Sequence, residues 1–371
     1  METSRSVKLS ERLIIMIVIT YGKDIIENTY EALTKSDIDK YLNSDFSVSI
    51  KPNLVVPGPA SNGATTHPEV VEGIVLFLKE FGVTKIKIIE SSWLGASTKH
   101  AFKDCGYEEL SLKFNIPLID LKSDRCSTLN KAGYSMQVCN ESLETDFLIN
   151  VPVLKAHCQT LLTCCMKNLK GCIPDSEKRQ FHTLGIHKPV AALNALIKTG
   201  YNVVDGICGD LSFEEGGNPV EGNRIILGRD PVLVDSYCAE LIGYHPDEID
   251  YLSYGKDMGI GNFFSKKTEV VELNLQNKPL NEVKSGRTTA KYKGYISEDA
   301  ACSACYSSLV YALHRLGGRV SKKGKIHIGQ GYKGKSGSGI GIGSCANGFE
   351  KCVTGCPPKA TDIIDALRHS E

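Results

Sequence analysis

The sequence predicts an α/β protein whose mostly parallel sheet is flanked by helices and followed by a small C-terminal α/β unit. Three observations support this: strands that are apolar throughout, helical patterns that alternate with them, and a cluster of cysteines between residues 302 and 356. Apolar strands separated by helices are typical of parallel sheets covered on both faces. In such sheets, binding sites gather at the carboxyl ends of the strands.

The strand predictions rest on short apolar runs bounded by turn residues. The second run ends at a Pro/Gly loop, and the others are separated from one another by helical patterns or polar segments. In chain order the predicted strands are LIIMIVIT (13–20), FSVSIKPNLV (46–55), KIKIIES (85–91), PLIDL (117–121), DFLINVPVLKAH (146–157), NVVDGICG (202–209) and RIILG (224–228).

The helix predictions rest on apolar residues at helical spacing, together with the residues expected at helix ends. Gly82 stands where a C-cap is expected, and Pro189 lies near the start of a later helix. The predicted helices are EVVEGIVLFLKEFG (69–82), TKHAFKDCGYEELSLKFN (98–115), KPVAALNALIKTG (188–200) and two short helices within 229–261.

These patterns predict four segments along the chain. Met16 is a plausible alternative start, so the residues before it are expected to form an extension. A polar, Lys-rich stretch separates the helix–strand alternation from the cysteine cluster and is expected to be a linker. The predicted segments are an N-terminal extension (1–15), an α/β domain with a substrate crevice (16–275), a linker (276–294) and a cysteine-rich unit (295–371).

Composition narrows the function classes. The formal net charge of zero removes the electrostatic reason to expect nucleic-acid or anionic-membrane binding. The run LIIMIVIT is too short to span a bilayer and lacks a cleavage site, so neither membrane insertion nor export is expected. Fourteen cysteines without an export signal indicate a reducing cytoplasm, in an anaerobic setting. Most of the scattered cysteines are expected to be small buried hydrophobes.

The C-terminal cysteines have the spacing of a metal centre. Cys302 and Cys305 form a C-x2-C pair at the start of a predicted helix, where backbone N–H groups favour thiolates. Cys345 follows the glycine-rich stretch GYKGKSGSGIGIGS (331–344), which is interpreted as a loop that wraps the centre, and Cys356 precedes two prolines. These four are the predicted ligands. Cys352 is a spare, and its exchange with Cys345 is the alternative ligand set.

Two metal centres fit four thiolates. A structural zinc site usually has two C-x2-C pairs, whereas the second half here is spread as C-x6-C-x3-C-P. The final C-x3-C-P resembles the end of iron–sulfur runs, and the whole pattern is similar to the proximal-cluster unit of hydrogenase small subunits and the related complex I subunit. We therefore expect a [4Fe–4S] cluster, with zinc and a metal-free unit as alternatives.

Polar residues at predicted strand ends suggest a cationic crevice for a small anionic substrate. Taken singly, each of these lysines and histidines is more often a surface or structural residue. The residues predicted to act in catalysis are Lys155, His157, Lys167 and His182. The residues predicted to bind substrate are Lys51, Asn53, His67, Asn168, Asp205 and Glu214. A histidine is expected to move protons near neutral pH.

Several motifs together resemble the family known as domain of unknown function 362. They are IKPNLV (50–55), THPEVVEGIVLFLKEFG (66–82), PVLKAH (152–157), CMKNLKGCIP (165–174), NVVDGI (202–207) and GRDPVLVDSYCAELIG (228–243). The resemblance implies an iron–sulfur-binding protein with an α/β core that is distantly similar to the lactate racemase superfamily. It implies no reaction. The chain departs from members that carry a full ferredoxin-type cysteine run.

The leading functional prediction is an iron–sulfur oxidoreductase that acts on a small anionic substrate. An electron-donor protein and a homodimer are further expectations. Three alternatives stay open: a non-redox iron–sulfur enzyme for sulfur insertion or Lewis-acid chemistry, an electron-transfer module for a partner enzyme, and a zinc-stapled binding protein. No G-x-G-x-x-G motif follows the first predicted strand, and no nucleophile elbow or H-E-x-x-H motif occurs in the sequence.

Overall fold

The computed structural model describes residues 16–280, 284, 287, 291–317 and 326–368. The predicted extension 1–15 and parts of the predicted linker 276–294 lie outside the described residues. The elements up to residue 280 form what we call the large lobe. Its strands are β1 (Met16–Tyr21), β2 (Ser47–Pro52), β3 (Lys85–Glu90), β4 (Leu118–Asp120), β5 (Cys126–Lys131), β6 (Tyr134–Cys139), β7 (Phe147–Val151), β8 (Lys155–His157), β9 (Leu161–Thr163), β10 (Tyr201–Asp210), β11 (Pro219–Gly228) and β12 (Glu269–Leu273).

Helices lie in five of the eleven connections between these strands, where the sequence pattern alternates. Pro68 begins the second helix, and Gly82 caps it in the left-handed conformation that glycine adopts readily. In the large lobe the helices are α1 (Ile25–Thr34), α2 (Pro68–Phe81), α3 (Thr98–Asp104), α4 (Tyr107–Phe114), α5 (Cys165–Asn168), α6 (Asp175–Thr183), α7 (His187–Leu196), α8 (Pro231–Leu241) and α9 (Asp250–Asp257).

The main sheet has eight strands in the order β12-β1-β11-β10-β7-β2-β3-β4. The single strand β11 runs antiparallel to both its neighbours, and every other pairing is parallel. Helices cover both faces. Residues of α1 to α4 pack on one face, and residues of α7 to α9 pack on the other. This confirms the predicted fold class.

The C-terminal unit is a second, smaller parallel sheet. Its strands pair in chain order: β13 (Ile296–Glu298), β14 (Ile326–Ile328), β15 (Gly337–Ile342) and β16 (Phe349–Val353). Two helices, α10 (Ser303–Arg315) and α11 (Ala360–Arg368), share its apolar core. Cys158 and Phe213 of the large lobe belong to the same core, so the two lobes pack against each other.

Three elements differ from the sequence predictions. The helix predicted over 98–115 is two helices, because Gly106 between them takes a left-handed conformation. The strand predicted over 146–157 is β7 followed by β8, because Pro152 cannot donate to a ladder. The glycine stretch predicted as a loop contains β15, whose isoleucines lie against β14 and β16. The hairpin β5–β6 was not predicted.

Candidate functional site

The carboxyl ends of the strands in both sheets carry the candidate site residues. In the main sheet, β10, β7, β2 and β3 lie side by side and run in the same direction. In the small sheet, Cys302, Cys345 and Cys356 follow the parallel strands β13, β15 and β16. This is the edge where α/β sheets bind ligands.

A cavity of about 590 Å³ lies between the two lobes at these strand ends. Its volume lies in the range of small-molecule sites. One wall carries the four predicted cysteine ligands, and the other carries polar residues of the large lobe. The predicted site residues that line it are Asn53, Lys155, His157, Lys167, Asn168, His182, Glu214, Cys302, Cys305, Cys345 and Cys356.

The other predicted substrate-binding residues are not part of the cavity wall. Lys51 is buried beside it, and its Nζ pairs with Oε2 of Glu90 at 2.9 Å, while Glu90 itself lines the cavity. His67 and Asp205 contact each other, with Nδ1 of His67 2.8 Å from Oδ2 of Asp205. The structure thus places Lys51 behind the wall and the His67–Asp205 pair outside it.

The cysteine loops are short and tightly folded. Cys302 is the N-cap residue of α10, and Cys305 lies in its first turn, as the C-x2-C spacing predicts. Gly355, which precedes Cys356, has a φ of +140°. A Cβ at this position would lie 2.5 Å from Cα of Pro358, so only glycine fits there. The fifth cysteine, Cys352, is exposed on β16 and is not among the lining residues.

The four thiols lie close enough to perturb one another. Burial, with smaller contributions from Cys302, Cys356 and Cys345, raises the pKa of Cys305 to about 12, because thiolates nearby would repel. The pKa of Cys302 is raised by burial and by Cys345 and Cys356. A bound cation would remove this penalty, since coordinated thiols are deprotonated.

Tighter groups of candidate metal ligands occur elsewhere. Among the described residues, ligand atoms within 4.8 Å of one another form two groups, His157–Cys158–Glu214 and Cys164–Cys165–Asp235. The four cavity cysteines are spaced more widely than that. Both oxygens of Asp235 accept backbone N–H groups, from Cys165 at 2.6 Å and Met166 at 3.0 Å, so this carboxylate already has partners.

Lys155, the first residue of β8, enters the cavity wall as a buried amine. Its Nζ donates to the carbonyl oxygens of Ala64 at 2.6 Å and Glu214 at 2.7 Å. Burial, with a smaller contribution from the nearby Lys167, lowers the pKa of Lys155 to about 7 against the raising effect of Glu214. A neutral amine has two N–H bonds, so it can satisfy both carbonyls and keep a lone pair.

The two cavity histidines are neutral at pH 7. Nδ1 of His157 accepts backbone N–H groups of Gln159 at 3.1 Å and Thr160 at 3.2 Å, which places the ring proton on Nε2. That Nε2 lies 3.5 Å from Oε1 of Glu214. Burial lowers the pKa of His157 well below its ordinary value and the pKa of His182 to about 2, with nearby lysines adding to both shifts. Lys155, rather than a histidine, therefore titrates near neutrality.

Several cavity residues were not among the predicted site residues. One is Lys170, which lies one turn after Lys167. Another is Lys178 on α6, whose Nζ donates to the carbonyl and hydroxyl oxygens of Ser91 and to the carbonyl oxygen of Ser92. Trp93, the single tryptophan of the chain, also lines the cavity. The signal for Lys170 was its three-residue spacing from Lys167. Lys178 resembles an ordinary surface lysine in sequence.

One glutamine joins the site's two walls. Gln159 follows β8, and its Nε2 donates to Oε1 of Glu298 at 2.6 Å and to the carbonyl of Ala301 at 3.2 Å. The hydroxyl of Ser303 donates to its Oε1 at 3.1 Å. Ala301 and Ser303 flank Cys302, so the strand that carries Lys155 is directly linked to the cysteine loop.

All fourteen cysteines are free thiols. No described helix combines the length and apolar character that crossing a bilayer requires.

A family model described as "Domain of unknown function (DUF362)" matches residues 48–240. A thylakoid-associated protein of Synechocystis sp. is 25% identical over 224 residues, which are 57% of this chain and 68% of that protein.

Two solved structures are similar at low identity. The lactate racemase apoprotein from Thermoanaerobacterium thermosaccharolyticum matches 62% of this chain with 10% identity and a TM-score of 0.43. A protein from Thermotoga maritima matches 64% with 13% identity and a TM-score of 0.37. The chain spans 57% and 60% of the length of these two structures.

Proposed function

The chain belongs to the DUF362 family, and we propose that it is an iron–sulfur oxidoreductase that transforms a small anionic substrate between its two lobes. The observation that carries this proposal is a single cavity with four cysteines on one wall and buried lysines on the other. The cysteines would hold a [4Fe–4S] cluster, which supplies or accepts one electron at a time. The lysines and histidines would bind and orient the substrate.

The donor set fits such a cluster. Four cysteine thiols on three short loops face one cavity, and Gly355 permits a turn that no other residue would allow. Four thiolates around one zinc ion, each about 2.3 Å from the metal, would lie roughly 3.8 Å apart. The sulfurs here are spaced more widely, since no three of them lie within 4.8 Å of one another in the part of the chain described. This spacing favours a cluster over zinc.

The large lobe supplies groups that suit an anion and a proton transfer. Lys167 and Lys170 line the cavity, and burial lowers the pKa of both amines, that of Lys167 to about 8, so an anion bound beside them would favour their charged forms. Lys155 would act as the base, because its pKa of about 7 leaves a substantial neutral fraction at physiological pH. His157 would donate a hydrogen bond from Nε2, because its Nδ1 is occupied by two backbone N–H groups.

Anaerobic purification tests this proposal directly. We expect a brown protein that absorbs near 400 nm and contains four irons and four sulfides per chain, with loss of the absorbance on reduction. A colourless protein with one zinc per chain would instead support the zinc-stapled alternative. A reducible cluster in a protein that binds no small anion would support the electron-transfer module.

Four further expectations concern the partner proteins, the oligomeric state, the non-redox alternative and the location of the protein. An electron-donor protein is part of the redox proposal, and a homodimer stays a prediction. The non-redox alternative requires an iron without a cysteine ligand. The four cysteines at the cavity would occupy all four irons, and the fifth, Cys352, lies away from the cavity wall. Free thiols throughout suit a reducing compartment. The cytoplasmic location stays a prediction, since one relative is named for its association with thylakoids.

A further inference from the structure

The buried lysines around the cavity fall into two groups according to their partners. Lys51 contacts Glu90 and the carbonyl of Pro52, and Lys155 contacts two carbonyls. Lys178 contacts three oxygen atoms of Ser91 and Ser92 and, at 3.2 Å, Oδ1 of Asp175. These three side chains are held by oxygen atoms of the protein, so none of them offers an unpartnered ammonium group to an anion.

Lys167 and Lys170 have no such partners. Nζ of Lys167 has one long contact, to Oγ1 of Thr163 at 3.4 Å, and Nζ of Lys170 lies 3.5 Å from Nε2 of His182. Neither pairs with a carboxylate within 4.0 Å among the described residues. Both side chains are partly buried and line the cavity. Ammonium groups without acceptors are costly in a partly buried site, so a bound anion would stabilise the charged forms of both side chains.

The local backbone points both lysines the same way. They lie three residues apart on the continuous helical segment formed by α5 and the 3-10 turn Leu169–Cys172. Residues at this spacing share one face of a helix. Cys302 lines the same cavity as both lysines. The pair therefore lies between the large lobe and the cysteine loop.

We propose that Lys167 and Lys170 form the anion subsite and clamp one carboxylate or phosphate group of the ligand next to the cysteine loop. This inference rests on the proposed function for the identity of the cavity as the active site. It assigns substrate binding to these two lysines, whereas Lys51 and Lys178 support the wall. Two ammonium groups suit an oxyanion with at least two oxygens, because each group can then donate to a separate oxygen.

The test is anion binding to the anaerobically purified full chain at pH 7 and constant ionic strength. Inorganic phosphate and oxalate are titrated separately by calorimetry and by the fluorescence of Trp93. We expect Lys167→Gln and Lys170→Gln each to weaken Kd for the preferred anion by at least about tenfold. The preferred anion then distinguishes a phosphate ligand from a carboxylate ligand.

Arg179→Gln is the matched control, because Arg179 is an exposed cation that lines the same cavity. We expect it to weaken Kd by less than about threefold, as for an exposed charge. Equal losses in all three variants would mean that only the general positive field attracts anions, and the subsite would be wrong. A wild-type protein that binds neither anion would also overturn it.

Iron and absorbance near 400 nm are measured on the same samples. A protein without iron that still binds anions through Lys167 and Lys170 would refute the proposed redox function and leave the subsite intact. A protein with a full cluster whose anion binding does not depend on these lysines would do the reverse. Circular dichroism of each variant verifies its fold, and the two lysine variants serve as independent tests.

Discussion

The two parallel sheets use their carboxyl ends in different ways. At the end of the large sheet, Lys51 and Glu90 neutralise each other and are fully enclosed. At the end of the small sheet, the four thiols have few partners: Nε2 of Gln330 contacts Sγ of Cys302 at 3.6 Å, and Cys356 is exposed. The strand-end ion pair of the large sheet is thus neutralised within the protein, whereas the small unit presents thiols that have few partners.

The largest effect should come from removing a cysteine ligand. We expect Cys356→Ser to lose most of its iron and its absorbance near 400 nm, because the hydroxyl is a poor ligand for iron–sulfur clusters. Circular dichroism should show that the large lobe remains folded. Full iron content in this variant would contradict the ligand assignment and remove the contrast between the two sheets.

Breaking the enclosed ion pair should destabilise the large lobe. Lys51→Met leaves the carboxylate of Glu90 buried without its cation, which should cost about 3–5 kcal/mol of the free energy of unfolding in urea. Lys85→Met is the control, because Lys85 is exposed at the start of β3, and it should change this free energy by less than about 0.5 kcal/mol. Similar values for the two variants would show that the pair does not support the wall.

The titration of Lys155 should appear in the pH dependence of stability. Its folded pKa of about 7 lies below the unfolded value of about 10.4, so between these values the unfolded chain binds more protons. The free energy of unfolding should therefore rise with pH from 7.5 to 9, by up to about 1.4 kcal/mol per pH unit from this group. Lys155→Met should reduce the slope by that amount. Parallel pH profiles of the two proteins would mean that Lys155 is not the titrating group.

The smallest effect should come from the spare cysteine. Cys352 is exposed on β16 and outside the cavity wall, so Cys352→Ser should leave iron content and the visible spectrum unchanged. Iron loss equal to that of Cys356→Ser would mean that Cys352 replaces Cys345 as a ligand, as the sequence alone allowed.

The sequence indicated which side chains lie at the same edge of the sheets, but it did not indicate which atoms each side chain contacts. Strand-end positions brought Lys155, Lys167 and the cysteines to one cavity, because parallel strands present their carboxyl ends at one edge. The pairing of Lys51 with Glu90 could not be predicted in the same way. It depends on the register of β2 against β3, and a strand-end lysine looks the same whether it meets a carboxylate or a ligand.

Departures from the predicted elements have similar causes. Proline at 152 marked a break within the run 146–157, but sequence alone did not show that the chain would turn into the β8–β9 hairpin. The glycine-rich stretch read as a loop because glycine weakens strands in isolation, yet pairing on both edges makes it β15. Lys178 on α6 reaches inward to Ser91 only because of how that helix packs.

The order of the two sheets along the chain has a consequence for biosynthesis. Every strand of the eight-stranded sheet, ending with β12 at Leu273, precedes the first cysteine ligand, Cys302. Domains fold as units while the ribosome proceeds from the N-terminus. The large lobe would therefore be able to fold before the last predicted ligand, Cys356, has been translated, and a cofactor would have to be delivered to a folded lobe and a C-terminal unit that is still emerging.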